Sequence, residues 1–235
     1  MGMRREELAV VQGWSDTKDA LRLWQERPSL VLRPWVTGSL LVAILLLVAT
    51  WGIAELSTPD PFLLQFPGIT GPAGVDDYGH VLFRNGLVLA LHGLACLAGF
   101  IAGSSLPQVA QEYTGLYRRL HELAQPGAIA FVIAATTFSL VTQAYVLGGD
   151  AASLAAQFGV SPLELLGVFS LHAIPELTAL FLPLAAWTIA SRRKRWDELL
   201  AATFVTVGLA IPVLLVAAAV EVWVSPRLLL SLMGS

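Results

Sequence analysis

Residues 36–56 read VTGSLLVAILLLVATWGIAEL, and this stretch decides in which solvent the protein folds. Its one ionisable group, Glu55, stands at the far end. About 20 apolar residues at 1.5 Å rise cross the ~30 Å hydrocarbon core of a bilayer, so the run is long enough for one helical crossing. A barrel strand would alternate apolar and polar side chains, and this run does not.

Four further runs outward from it meet the same requirement: residues 82–104, 127–147, 163–190 and 199–223. The sequence therefore predicts an all-α polytopic membrane bundle of about five transmembrane helices. Composition agrees. The chain is 56% hydrophobic and 13% charged, where a soluble domain carries about 25% charged residues. The fourth run exceeds the bilayer and contains Pro175 and Pro183; a bend near Pro175 is expected, because proline removes one hydrogen bond of the helical ladder. The first 34 residues mix polar and apolar types without the short apolar core of a cleavable leader, so the first span is expected to stay in the membrane.

Positive charge gives the orientation. Twelve of the 14 Lys and Arg lie before the first span, at 118–119, or at 192–195, leaving only Arg84 and Arg227 on the opposite side. The positive-inside rule then places the N-terminus in the cytoplasm and the C-terminus outside a cell membrane. A net charge of −3 offers no basic field for nucleic acid. Residues 1–35 read as a cytoplasmic amphipathic segment, with Leu8, Val11, Trp14, Leu21 and Trp24 facing the membrane surface. Residues 36–228 form the transmembrane domain and 229–235 an external tail. Residues 107–124, which include His121 and Glu122, read as a second polar amphipathic stretch inside. External loops are expected at 57–81, which holds His80, and at 148–162. Ser161 suits a helix N-cap ahead of Pro162 and Glu164. Trp35, Trp51, Trp196 and Trp223 sit at span boundaries, as an aromatic belt would. Cys96, the one cysteine, reads as an apolar packing residue. Gly86, Gly93, Gly99 and Gly103 permit close helix packing, and with it a homodimer.

Ionisable groups at membrane depth cost about 2.5–3.5 kcal/mol each on the insertion scale, so each needs a reason. His172 and Glu176 are four apart on the fourth span and share one helical face. Glu221 lies near the outer end of the fifth span, His92 within the second, and Asn85 with Arg84 at the second span's outer end. All fall in the outer half of the membrane, so His172, Glu176, Glu221, His92 and Asn85 form a candidate polar intramembrane site. Two readings stand side by side. The residues bond helix to helix and hold the bundle, or they bind a cation or move protons. In the second case His172, Glu176 and Glu221 could ligate a divalent metal such as zinc with one position open for water, and Glu176 could act as a catalytic base.

Asn85-Gly86 opening a glycine-rich span, His172-Ala-Ile-Pro-Glu176-Leu177, and Glu221-Val-Trp-Val-Ser225-Pro226 occur in that order, and over residues 36–228 the chain resembles the stage II sporulation protein M family. Ala173 and Trp223 depart from the glycine and phenylalanine of that family's pattern. The resemblance implies a membrane scaffold or assembly subunit that works with peptidoglycan-remodelling partners in the cell envelope. Some relatives are associated with maturation or export of circular bacteriocins, which leaves a transporter role open beside an intramembrane metal hydrolase.

Overall fold

The computed structural model describes residues 5–105 and 114–233. The side chains of Leu8, Val11, His121 and Glu122, and residues 107–113 of the second amphipathic stretch, lie outside the described residues. Among the described residues, seven α-helices follow in order: α1 (Arg5–Glu26), α2 (Pro28–Leu56), α3 (Val75–Phe100), α4 (Gly115–Phe158), α5 (Pro162–Arg193), α6 (Leu199–Ala219) and α7 (Ser225–Met233). One π turn, Ile101–Ser105, prolongs α3, and a second, Val220–Val224, joins α6 to α7. Five segments are long and apolar enough to cross a membrane: Pro28–Leu56, Val75–Gly103, Ile129–Phe158, Pro162–Arg193 and Trp196–Met233. The expected five-span bundle is the fold.

α5 is the hub, packing against α2, α3 and α6, while α4 rests mainly on α2. Alanines line much of the buried helix contact, beside a few large side chains such as Phe181 and Leu165. Ala43, Ala179, Ala186, Ala201, Ala210 and Ala218 are buried, whereas Leu41, Leu45, Leu91, Phe131, Phe138 and Phe204 face outward. Lipid tails are as apolar as leucine, so large side chains gain nothing by leaving them, and close approach through small residues drives helix packing.

The start of α5 is built as the sequence suggests. Ser161 Oγ accepts the Glu164 N–H at 3.2 Å, and the Glu164 carboxylate accepts the Ser161 N–H at 2.8 Å; this reciprocal box satisfies two donors that a helix start leaves unpaired. The helix then continues unbroken through Pro175 and Pro183 to Arg193.

Three expectations need correction. The first concerns the outer loop foreseen at 148–162. Residues 148–158 continue α4, which ends only at Gly159, a residue in the left-handed conformation at φ 70°. The cause is packing: Ala151, Ala152, Ala155 and Phe158 bury against Leu165 and Leu229. The same extension carries the loop 57–74, because Ser153 Oγ accepts the Asp60 N–H at 2.9 Å and Gln157 bonds the Leu64 backbone twice. The second correction is to α1. It does form, but its inner face is Gly13, Thr17, Ala20 and Trp24, which are buried, and it packs on α6. Trp24 meets Trp35 edge-on at 5.2 Å, so neither is a lipid-boundary residue, and Trp14 is the exposed one, under the Lys18 ammonium. The third is the tail. Helix α7 runs to Met233 and buries Leu229 completely.

Candidate functional site

Helix α5 presents one polar group per turn toward its neighbours: the His172 side chain, the Glu176 side chain and the Leu180 carbonyl. At four residues per step these are about 6 Å apart along the axis. The structure gives the His172 side chain and the Leu180 carbonyl separate hydrogen-bond partners, Ser225 and His92, and leaves Glu176 Oε2 without one.

His172 is buried, with 7% of its surface exposed. Its Nδ1 lies 2.8 Å from Ser225 Oγ, and its ring sits 5.6 Å from that of Phe169. Ser225 reaches this position because of the π turn before it. Pro226 has no N–H to offer the Val222 carbonyl, and a proline ring crowds the carbonyl four residues back; the ladder widens there, with Ser225 N–H bonding Val220 O five residues earlier. Such single-turn widenings are frequent at functional sites.

His92 stands apart from the carboxylates. Its Nδ1 is 2.8 Å from the Leu180 carbonyl, and four residues further along α3 the Cys96 thiol donates to the Pro183 carbonyl at 3.0 Å. The two side chains pin α3 to the turn of α5 that Pro183 loosens. Cys96 is fully buried, as its apolar setting implies, and it also carries a polar contact.

Glu176 is the unsettled member. It lies in electrostatic reach of Glu221 and Arg84, with the Asn85 side chain beside it, and Glu221 in turn lies in reach of Arg84. Glu176 Oε2 and Asn85 Nδ2 are nevertheless buried without a hydrogen-bond partner of ordinary length. The grouping thus joins three segments: α3 through Arg84 and Asn85, α5 through Glu176, and the π turn through Glu221. Arg84 is the member that sequence reasoning left out. Its place beside Asn85 at the end of the second span is the available signal, since a cation within reach lowers the cost of a carboxylate at membrane depth.

Zinc does not fit the set proposed for it. Among the described residues no three His, Cys, Asp or Glu side chains are gathered so that they could hold a metal ion. His172 bonds Ser225, and the carboxylates lie a turn further on with Arg84, so the ligand set His172, Glu176 and Glu221 is withdrawn. Other boundary and loop residues are local. Trp51 Nε1 donates to Glu55 at 3.0 Å, and Trp223 stacks on Tyr78 at 5.3 Å.

No protein-family model, no curated protein and no solved structure matches the chain. What stands is a multi-span membrane helix bundle in a lipid bilayer.

Proposed function

We propose that this protein is a membrane scaffold, an assembly subunit of cell-envelope remodelling whose intramembrane polar residues chiefly fix the shape offered to partners. The observation that carries this reading is that the buried polar side chains bond helix to helix: His172 to Ser225, His92 to Leu180 and Cys96 to Pro183. Interhelical bonds of this kind are a principal means of holding a bundle together where hydrophobic burial gives no net drive. The envelope part of the proposal comes from the ordered elements around Asn85, His172–Leu177 and Glu221–Pro226 that resemble the sporulation protein M family.

A second reading rests on one observation, the partnerless Glu176 Oε2. An intramembrane carboxylate with one unbonded oxygen suits a proton-coupled transporter as well as a scaffold. One variant separates the two. Glu176→Gln keeps shape and hydrogen-bonding capacity but cannot release a proton. In cells deleted for the gene, a scaffold carrying Glu176→Gln restores the pattern of nascent peptidoglycan labelling, whereas a proton relay carrying it does not. Failure of this variant at normal abundance overturns the scaffold reading, as does a deletion strain whose labelling never changes.

A further inference from the structure

The positive-inside rule makes arginine scarce on the outer side of a membrane protein, and this chain has two there. Arg84 lies within electrostatic reach of the two carboxylates of the polar grouping. Arg227 answers none: it has no acidic partner among the described residues. It lies instead on the wall of a cavity of about 230 Å³ between the outer loop and the end of the last span. The remaining walls are Gly68, Gly71, Pro72 and Ala73 on the loop side, with Val222, Trp223 and Pro226 on the helix side. A single water needs only about 10–15 Å³ of such space, so the cavity has room for a ligand of several heavy atoms.

Three features fix its chemistry. First, Arg227 is its one charged wall residue, and a guanidinium offers a planar fork of donors that matches a phosphate or carboxylate in two-point contact. Second, the indole of Trp223 is already held in place by stacking on Tyr78, whose hydroxyl donates to the Leu215 carbonyl; an aromatic fixed at the membrane surface suits the glycerol or acyl portion next to a headgroup. Third, the loop wall is set without help from a ligand. Gly68 takes φ 86° and its N–H bonds Gly71 O at 2.7 Å. A Cβ there would come within 2.8 Å of Pro226, so only glycine lets the loop lie this close to the helix and close the cavity on that side.

We infer that this cavity binds a phosphate-bearing anion, with Arg227 as the charge partner and Trp223 as the flanking apolar surface. The wall is continuous with the polar site, since Val222, Trp223 and Pro226 are chain neighbours of Glu221 and Ser225. A bound anion therefore stiffens the π turn on which the His172–Ser225 bond depends. The phosphate can come from a lipid headgroup or from solution, and the cavity chemistry is the same for both. The inference does not depend on the scaffold reading.

The test uses the full chain in an uncharged detergent. Short-chain phosphatidylglycerol, short-chain phosphatidylcholine and inorganic phosphate are titrated separately, with bound mass read by native mass spectrometry and the 220–227 amides by hydrogen exchange. Wild type is expected to retain one phosphatidylglycerol and to slow exchange at 220–227. Arg227→Gln is expected to weaken retention at least fivefold, and Ala73→Phe, which fills the cavity and keeps the charge, to do the same. Phosphatidylglycerol bound more tightly than both other probes identifies a lipid ligand; phosphate binding as well as the lipid identifies a soluble one. If Arg227→Gln fails to fold, Ala73→Phe alone decides. Equal retention by a folded variant and wild type, or retention of neither phosphatidylglycerol nor inorganic phosphate by wild type, overturns the inference.

Discussion

Single residues divide here into those whose partners close a bond and one whose partner does not. His172 and Ser225 belong to the first kind, at 2.8 Å in a buried setting. Interhelical hydrogen bonds in membranes average roughly 0.6 kcal/mol and reach about 1.7, so a double-mutant cycle over His172→Ala and Ser225→Ala should return a coupling energy in that range. Unfolding equilibria in mixed micelles measure it, and coupling indistinguishable from zero would show that the bond contributes nothing. Glu176 belongs to the second kind. Its carboxylate lies in reach of Glu221, and Arg84 is the nearby cation. Arg84→Gln should therefore destabilise the bundle by leaving two carboxylates unanswered, and adding Glu176→Gln should restore much of the loss. Thermal melting of the purified single and double variants checks the pair; a double variant melting no higher than Arg84→Gln alone would remove Arg84 from the grouping. The sequence made His172, Glu176 and Glu221 visible as costly residues at one membrane level, because cost and depth are properties of a helix read alone. It could not say which groups meet. Helix rotation and the widened turn at Val220–Val224 decide that, and they turn His172 to Ser225 rather than to the carboxylates.

Helices are legible where their solvent is uniform and obscure where it changes. The runs at 36–56 and 199–223 announce themselves through unbroken apolarity, and α2 and α6 contain or closely follow them. Residues 148–158 do not, since Gly148-Gly149-Asp150 carries the composition of a loop. They are helical because α2, α5 and the loop 57–74 give that extension surfaces to pack on, which no local signal encodes. The two glycines make a sharp pair. A Cβ at Gly148 would meet Ile53 Cγ2 at 2.5 Å and the Thr50 carbonyl at 3.1 Å, while at Gly149 nothing lies within 4 Å. Gly148→Ala should thus cost about 1–3 kcal/mol through forced separation of α4 from α2. Gly149→Ala should cost nothing, or gain up to about 1 kcal/mol from helix propensity. Denaturant titration of the two variants side by side gives the answer, and equal stabilities would mean that α4 does not approach α2 as closely as described. α1 teaches the same lesson in reverse. Its amphipathic pattern was readable, but whether the apolar stripe met lipid or protein depended on Phe100, which stands where a Gly13 Cβ would approach to 2.9 Å.

Over the whole molecule, the fold gathers the charges that the linear sequence only spaced. Trp24 at the end of α1, Trp35 near the start of α2, and Arg193, Arg195 and Glu198 around the α5–α6 turn surround one pocket, so the basic segments before the first span and after the fourth share one end of the bundle. Gly68 of the outer loop closes on Pro226 at the other end, and the loop and first turn there carry Asp60, Asp76 and Asp77. This polarity supplies the physical ground for an orientation: positive charge resists transfer across the membrane during insertion, so the end holding Arg192, Arg193, Lys194 and Arg195 should remain cytoplasmic. Cys96 is the sole native cysteine, and replacing it with alanine gives a background in which single cysteines report their side. Gln65→Cys in the outer loop and Glu26→Cys at the end of α1 are both exposed positions. A membrane-impermeant maleimide added to intact cells should label Gln65→Cys and spare Glu26→Cys until the membrane is permeabilised. The reverse pattern would invert the topology and move the Arg227 cavity to the cytoplasmic face, where anionic lipid is the more abundant ligand. Labelling of both in intact cells would mean insertion in two orientations and overturn a single topology.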